Sequence, residues 1–217
     1  MLSVKAKAFI LMVTGSLCAS LSLASTLSVT VSNEDGQPIK NTVVELYNPD
    51  YLIDSASYDG PKAFEVAQRM RQFQPFVLAV PVGSSITFPN YDKTRHHVYS
   101  FSPIKTFELK LFSGQAHDPV IFNEAGVVAL GCNIHDAMQS HIYVTDSRYF
   151  MVTDENGQVQ FSSLPETSFN VKVWHPLQGE AVEPQMVATS SNDVSLNVNL
   201  SIIEEFEEDE FEDEYAY

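Results

Sequence analysis

Apolar and polar residues alternate along several short segments of this chain, and turn-forming residues separate the segments. Residues 27–31 alternate strictly, and residues 42–47 are rich in amino acids that favour strands. The same patterns predict further strands at residues 76–80, 85–88, 97–101, 107–111, 119–122, 126–130, 140–144, 158–161 and 170–174. Short strands at this spacing are typical of an antiparallel sandwich, so the chain is predicted to be all-β.

One helical interruption is predicted at residues 62–73. It follows the breaker Asp59-Gly60-Pro61 and places Phe64, Ala67 and Met70 on one side. The predicted helix belongs to a segment, residues 51–75, that connects two parts of the β structure.

The first 24 residues have the layout of a secretory signal. Lys5 and Lys7 precede an apolar run at residues 9–23, and Ser22-Leu23-Ala24 offers small residues where a signal peptidase cleaves. The run is short and interrupted by polar residues, which argues against a stable membrane span. We therefore expect cleavage after Ala24, export to the periplasm, and loss of Cys18 with the signal.

The chain is strongly acidic, with a formal net charge of −16. Residues 204–214 carry nine acids and no base, so the tail at residues 201–217 is predicted to be solvated and disordered. This acidic composition argues against nucleic acid binding, which needs clustered lysine and arginine. A docking role for the tail would require a partner with a basic surface.

Cys132 is the one cysteine predicted to remain in the exported protein. Thiols in an oxidising compartment are normally paired, so a lone thiol is either buried and inert or bound to a metal. Cys132 is followed by His135 and Met138 in a connection between two predicted strands. A thiolate, an imidazole and a thioether are donors of type 1 copper sites, which need one further histidine.

Two histidines, His96 and His97, precede a predicted strand and are candidates for that further donor. A Cys-His-His set also suits tetrahedral zinc, but Met138 favours copper because a thioether is a usual axial copper ligand. The remaining histidines are interpreted as structural or exposed; these are His117, His141 and His175.

At these residues the chain resembles the cupredoxin family, which includes plastocyanin and amicyanin. The spacing of Cys132, His135 and Met138 is similar to that of amicyanin's short ligand loop. Residues 76–146 also resemble periplasmic cupredoxin-like proteins of the methylamine utilisation type. The resemblance implies a Greek-key β-sandwich, and aligning Val98 with a family valine makes His96 the ligand, with His97 where the family usually has asparagine.

The resemblance further implies one type 1 copper ion held by His96, Cys132, His135 and Met138. Asn90 and His97 are then predicted to support the ligands from behind by hydrogen bonding. The implied function is periplasmic one-electron transfer with another redox protein, without enzymatic activity. Two alternatives stay open at this point: copper delivery through the same ligands, and a structural β-sandwich without metal.

A second β module is predicted from the two ends of the chain. Residues 25–50 and 148–200 resemble the two halves of the carboxypeptidase regulatory-like (transthyretin-like) sandwich, and residues 76–147 form the predicted cupredoxin domain. We favour a module that is split around the cupredoxin domain over two domains in series.

Overall fold

The computed structural model describes residues 25–54, 58, 60, 62–112, 118–190 and 192–203. The predicted signal sequence, Cys18, His117 and the acidic run at residues 204–214 lie outside the described residues. Within the described part, no helix is long and apolar enough to cross a membrane.

The described residues form seventeen strands and one short 3-10 helix, Pro49–Tyr51, which confirms the all-β prediction. The strands are β1 (Ser25–Ser32), β2 (Val43–Tyr47), β3 (Ala63–Glu65), β4 (Ala67–Arg69), β5 (Gln72–Gln74), β6 (Val77–Pro81), β7 (Ser84–Thr87), β8 (His96–Ser102), β9 (Lys105–Phe112), β10 (Val120–Phe122), β11 (Gly126–Gly131), β12 (Gln139–Thr145), β13 (Tyr149–Val152), β14 (Gln158–Leu164), β15 (Ser168–Trp174), β16 (Gln185–Ala188) and β17 (Val194–Asn199).

Strands from the two ends of the described chain form one β unit, here called the frame unit. One of its sheets has the order β14-β1-β17 and the other has the order β13-β2-β15-β16. Every second residue of β1 is buried, which is the alternation expected of a strand with one face on a core. The core of the frame unit includes Leu27, Val29, Leu46 and Phe169.

The intervening strands, β3 to β12, form a second unit, here called the donor unit. A five-stranded sheet with the order β6-β12-β11-β8-β9 is accompanied by a three-stranded sheet, β10-β7-β3, and by the hairpin β4-β5. Its separate core includes Phe88, Val98 and Ile142, and the buried Cys132 and Met138 belong to the same core.

The helix predicted at residues 62–73 is wrong, because this segment contains β3, β4 and β5. Strands β4 and β5 pair as a hairpin whose two turn residues, Met70 and Arg71, have φ angles of 53° and 58°. A left-handed conformation is unfavourable for such residues and ends any helix there. Both turn amides donate to Asp92, so a residue distant in sequence stabilises the turn.

A buried carboxylate joins the two units. Glu45, on β2 of the frame unit, is 3% exposed. Its Oε2 accepts hydrogen bonds from the Tyr143 hydroxyl at 3.0 Å and the Thr145 hydroxyl at 2.8 Å, both on β12 of the donor unit. Its Oε1 accepts from Lys172 Nζ at 2.9 Å. Burial and the neighbouring Glu45 raise the pKa of Tyr143, which keeps its phenol protonated as a donor.

The chain leaves the frame unit and returns to it at neighbouring places. Leu52 and Ser147 form an antiparallel bridge. The Ile53 amide donates to the Asp146 carbonyl at 2.6 Å, and the Arg148 amide donates to the Tyr51 carbonyl at 3.1 Å. The outgoing and returning segments are therefore paired with each other where the donor unit begins and ends.

Candidate metal centre

The loop that carries three of the predicted ligands connects two adjacent antiparallel strands. Strands β11 and β12 are paired from Gly126–Val144 to Gly131–Gln139, so residues 132–138 close the end of this ladder. Inside the loop the Met138 amide donates to the His135 carbonyl at 3.0 Å. The two strands therefore fix both ends of the loop and hold Cys132 and Met138 in the core.

A glycine lets an aromatic ring approach the loop closely. A Cβ atom at Gly131 would lie 2.8 Å from the hydroxyl and ring carbon of Tyr99. Tyr99 and Phe101 line an open groove beside Cys132 with a volume of about 450 Å³. A larger residue at position 131 would displace this ring and disturb the strand that leads into Cys132.

His96, Cys132 and His135 come together at this end of the donor unit. One potential ligand atom from each lies within 4.8 Å of the other two. His96 is fully buried and Cys132 is 3% exposed, whereas His135 is half-buried and lies nearest to solvent. The rings of His96 and His135 have centroids 5.0 Å apart. A single metal ion with ligand bonds of about 2.0–2.3 Å can bridge such a group after small side-chain movements.

The structure separates the two candidate histidines of β8. His96 joins the group with Cys132 and His135, and His97 does not. The Nε2 of His97 lies 2.9 Å from Glu108 Oε1, although without hydrogen-bond geometry, and its ring packs on Tyr99. Successive residues of a strand point to opposite sides, which places only one of the two at the loop.

Met138 is fully buried and belongs to the same core as Cys132. It lies three residues after His135, at the end of the loop and directly before β12. Asn90, predicted to support the ligands, makes no described hydrogen bond to them. Its amide donates to the carbonyls of Thr94 and Phe112, both at 2.8 Å, and its Oδ1 accepts from the Asp92 amide at 2.9 Å.

Asp92 is the supporting residue that the sequence interpretation missed. Its Oδ2 lies 2.9 Å from His96 Nε2, and its two oxygens accept from the amides of Met70 and Arg71 at 2.7 Å and 2.9 Å. Burial alone would raise the pKa of Asp92, but the bonds from Arg71, His96 and Met70 outweigh burial and lower it. The sequence contained one signal for this role, which is the spacing of Asp92 four residues before His96.

The hydrogen bond to Asp92 determines which nitrogen of His96 is available to a metal. With Nε2 directed to the carboxylate, Nδ1 is the free nitrogen, and it is buried without any hydrogen-bond partner among the described residues. The Nδ1 of His135 is in the same condition. Buried polar atoms without a partner are costly and uncommon, and a metal ion would satisfy both.

Electrostatics also suit metal binding. Burial lowers the pKa of His135, and the neighbouring His96 and Arg71 lower it further, although Asp92 acts in the opposite direction. A neutral imidazole is the form that binds metals. A thiolate, two imidazoles and a thioether form a soft donor set that fits copper better than zinc.

The other described histidines lie at the contact between the two units, away from this group. The ring of His141 packs on Phe76 and on Trp174. His175 is 5% exposed, and its Nδ1 accepts from the Leu177 amide at 3.1 Å. Neither belongs to the group of His96, Cys132 and His135.

Comparison with known proteins gives matches among solved structures only. No family profile and no curated protein matches the sequence. A purple cupredoxin from Nitrosopumilus maritimus is 20% identical, with a TM-score of 0.34, and the match covers 37% of this chain and 98% of that one. The reduced Cu(I) form of an amicyanin mutant at pH 4 is 18% identical, with a TM-score of 0.35, covering 46% and 97%.

A third similar structure is an enzyme. The Cu-containing nitrite reductase from Thermus scotoductus SA-01 is 20% identical with a TM-score of 0.36, and the match covers 54% of this chain but 28% of the reductase. The solved structures similar to this chain thus include a cupredoxin, a Cu(I) form of amicyanin and a Cu-containing nitrite reductase.

Proposed function

We propose that the chain is a periplasmic type 1 copper protein that transfers single electrons and has no enzymatic activity. The observation that supports this proposal best is the group of His96, Cys132 and His135, in which both imidazoles keep a buried Nδ1 without a partner in the described part of the chain. Their types and their separation suit one copper ion, and Met138 would contribute a thioether to the same donor set.

Copper, when bound, supplies the one-electron couple between Cu(I) and Cu(II). Cys132 would contribute the thiolate, while His96 and His135 would contribute their Nδ1 atoms. Asp92 holds the Nε2 proton of His96, which keeps the ring in one orientation. His135, the member nearest to solvent, is the residue through which we expect electrons to enter and leave.

An electron carrier agrees better than an enzyme with the surroundings of the group. Asp92 is the acid in contact with His96, but its oxygens are already bound to two backbone amides and to the histidine. It is therefore a poor candidate for a general acid or base. The frame unit, for which we retain the regulatory-like assignment, would serve as a support for the donor unit.

The visible spectrum of the purified protein tests the proposal. Adding Cu(II) to the mature chain, without residues 1–24, should give an intense thiolate-to-copper band in the visible range. Cys132→Ala and His96→Ala should lose this band, and His97→Ala, the matched control at the neighbouring position, should keep it. If the folded protein binds Cu(II) without this band, the result would contradict the proposal.

A second measurement separates electron transfer from copper delivery. The reduced protein should be oxidised by an external one-electron acceptor within milliseconds to seconds while it retains copper. If instead copper passes to a competing chelator faster than electrons pass to the acceptor, delivery is the better description.

A further inference from the structure

Four basic residues lie around the candidate metal centre of this acidic chain. Arg69 ends β4, Arg71 lies in the turn of the β4-β5 hairpin, and Lys93 and Arg95 lie in the loop that leads to His96. All four are exposed, and they are a third of the twelve lysines and arginines in a chain of net charge −16. We call these four residues the basic collar.

Backbone hydrogen bonds bring the two segments of the collar together. The Gln68 amide donates to the Pro89 carbonyl at 2.9 Å, and the Tyr91 amide donates to the Gln68 carbonyl at 2.9 Å. The carboxylate of Asp92 accepts from the amides of Met70 and Arg71. The guanidinium of Arg69 lies 3.7 Å from the centre of the Tyr91 ring. The two segments that carry the collar are therefore held together by the fold.

The collar adjoins the solvent-side histidine. Asp92, which holds the hairpin tip, is bonded to His96, and His96 packs on His135. Arg71 donates its backbone amide to the same carboxylate that contacts His96. Two exposed apolar side chains accompany these charges, since Met70 is 83% exposed and Ile134, beside His135 in the loop, is 44% exposed.

The basic side chains of the collar are not paired directly with carboxylates in the described structure. None of the four basic residues forms an ion pair with a described carboxylate. Asp92 lies among them, but its oxygens are engaged by the hairpin amides and His96. Glu65 accepts from the Tyr91 hydroxyl at 3.3 Å, and the exposed Asp136 of the loop is a further acid on this side.

We propose that the basic collar, with Met70 and Ile134, is the docking surface for a redox partner that has an acidic surface. This proposal rests on the proposed electron-transfer function and names the chemistry of its partner. Opposite charges steer encounter over about a Debye length, and local charge decides the approach even when the net charge has the other sign. A basic partner would be repelled here.

Oxidation of the copper(I) protein by small complexes of opposite charge tests the collar. One electron passes from Cu(I) to the iron of hexacyanoferrate(III) or to the cobalt of tris(phenanthroline)cobalt(III), and no bond is made or broken. Between about 10 mM and 0.2 M salt, the rate constant with the anion should fall about threefold or more, and that with the cation should rise. Poly-L-aspartate should slow the reaction with the anion at low salt.

Charge variants assign the effect to the collar. Arg71→Gln with Lys93→Gln should remove most of the salt dependence with the anion and the inhibition by poly-L-aspartate. Arg148→Gln, which removes an exposed charge outside the collar, should leave both close to wild type. The thiolate-to-copper band should be present in every variant, so its absence would count against the proposed function and not against the collar.

Two results would overturn the inference while the band is intact. If the rate constant with hexacyanoferrate(III) rises with salt, the net negative charge of the protein, and not the collar, governs the approach of the oxidant. If the falling dependence appears only after deletion of residues 204–217, the acidic tail of the chain itself covers the collar, and an external acidic partner is not its occupant.

Discussion

The frame unit and the donor unit differ in how many of their buried polar side-chain atoms lack a hydrogen-bond partner among the described residues. In the frame unit the buried Glu45 is satisfied by three donors, and Thr42 Oγ1 is its one buried side-chain atom without a partner among the described residues. In the donor unit such atoms occur on Gln68, His96, His97, His135 and His141. Proteins rarely leave such atoms unpaired. Two of these atoms, on His96 and His135, belong to the candidate metal centre, whereas those on Gln68, His97 and His141 lie outside it.

The largest expected effect tests the frame unit as a source of stability. Phe169 is fully buried and packs on Tyr51 and Tyr149. Phe169→Ala should lower the free energy of unfolding by about 3–5 kcal/mol, since a large cavity replaces the ring. Urea unfolding measures this loss. The copper spectrum of the folded variant should match wild type, and a displaced band would show that the two units are not independent in this respect.

The next effect tests the contact between the units. Glu45→Ala leaves Lys172 and Tyr143 without their acceptor and should cost about 2–4 kcal/mol. Glu45→Gln, which keeps the shape, should cost less. Unfolding can be followed by the fluorescence of Trp174 in the frame unit and by the copper band of the donor unit. In wild type the two transitions should coincide, and in Glu45→Ala they should separate.

The pH dependence of stability provides a third test. Burial, followed by the neighbouring His141, lowers the pKa of His175 to about 4. Because the folded value lies below the unfolded value of about 6.5, the folded state binds this proton less readily, and stability present above pH 6.5 is lost as the pH falls towards 4. The loss should reach roughly 2–3 kcal/mol.

His175→Asn is the variant that isolates this contribution. Its side-chain oxygen can accept from the Leu177 amide as Nδ1 does, but it does not titrate in this range. Unfolding in urea at several pH values should give a smaller slope for His175→Asn than for wild type. Equal slopes would assign the acid sensitivity to other groups.

The smallest expected effect tests how Asp92 joins the hairpin to the site. Asp92→Ala removes the acceptor of two amides and should cost about 1–2 kcal/mol. Hydrogen exchange should accelerate at Met70 and Arg71, and the copper band should shift because the His96 ring is no longer held. Asp92→Asn keeps one acceptor oxygen, so its stability and its copper band should lie between those of wild type and Asp92→Ala. An unchanged band in Asp92→Ala would limit Asp92 to the hairpin.

The strands that border the site were predictable from the sequence. The β4-β5 hairpin and Asp92, which support the site, were not. Alternation is a local property, so β11, β12 and the loop that carries Cys132 and Met138 were placed correctly. The hairpin at residues 67–74 was mistaken for a helix because its left-handed turn has neither glycine nor asparagine and depends on Asp92.

The family resemblance selects His96 over His97, and the structure likewise places His96 in the group with Cys132 and His135. Both side chains are buried, so burial does not distinguish them. The pairing of β8 with β9 shifts in register between His96 and Val98, an irregularity that alternation does not predict. The sequence pointed to the loop before His96 through Asn90 but did not give the role of that residue. Asn90 shapes this loop, and Asp92 is the residue that hydrogen-bonds to His96.

The paired segments around Leu52 and Ser147 have a consequence for how this chain can change. They bring the two ends of the donor unit side by side, which is the condition under which a folded domain can be inserted into, or removed from, another protein. In the topology of the frame unit, the whole segment from β3 to β12 is therefore an insertion at the position of a single surface loop. Exchange of the donor unit would rethread no strand of the frame, but it would remove the Tyr143 and Thr145 hydroxyls from the buried Glu45.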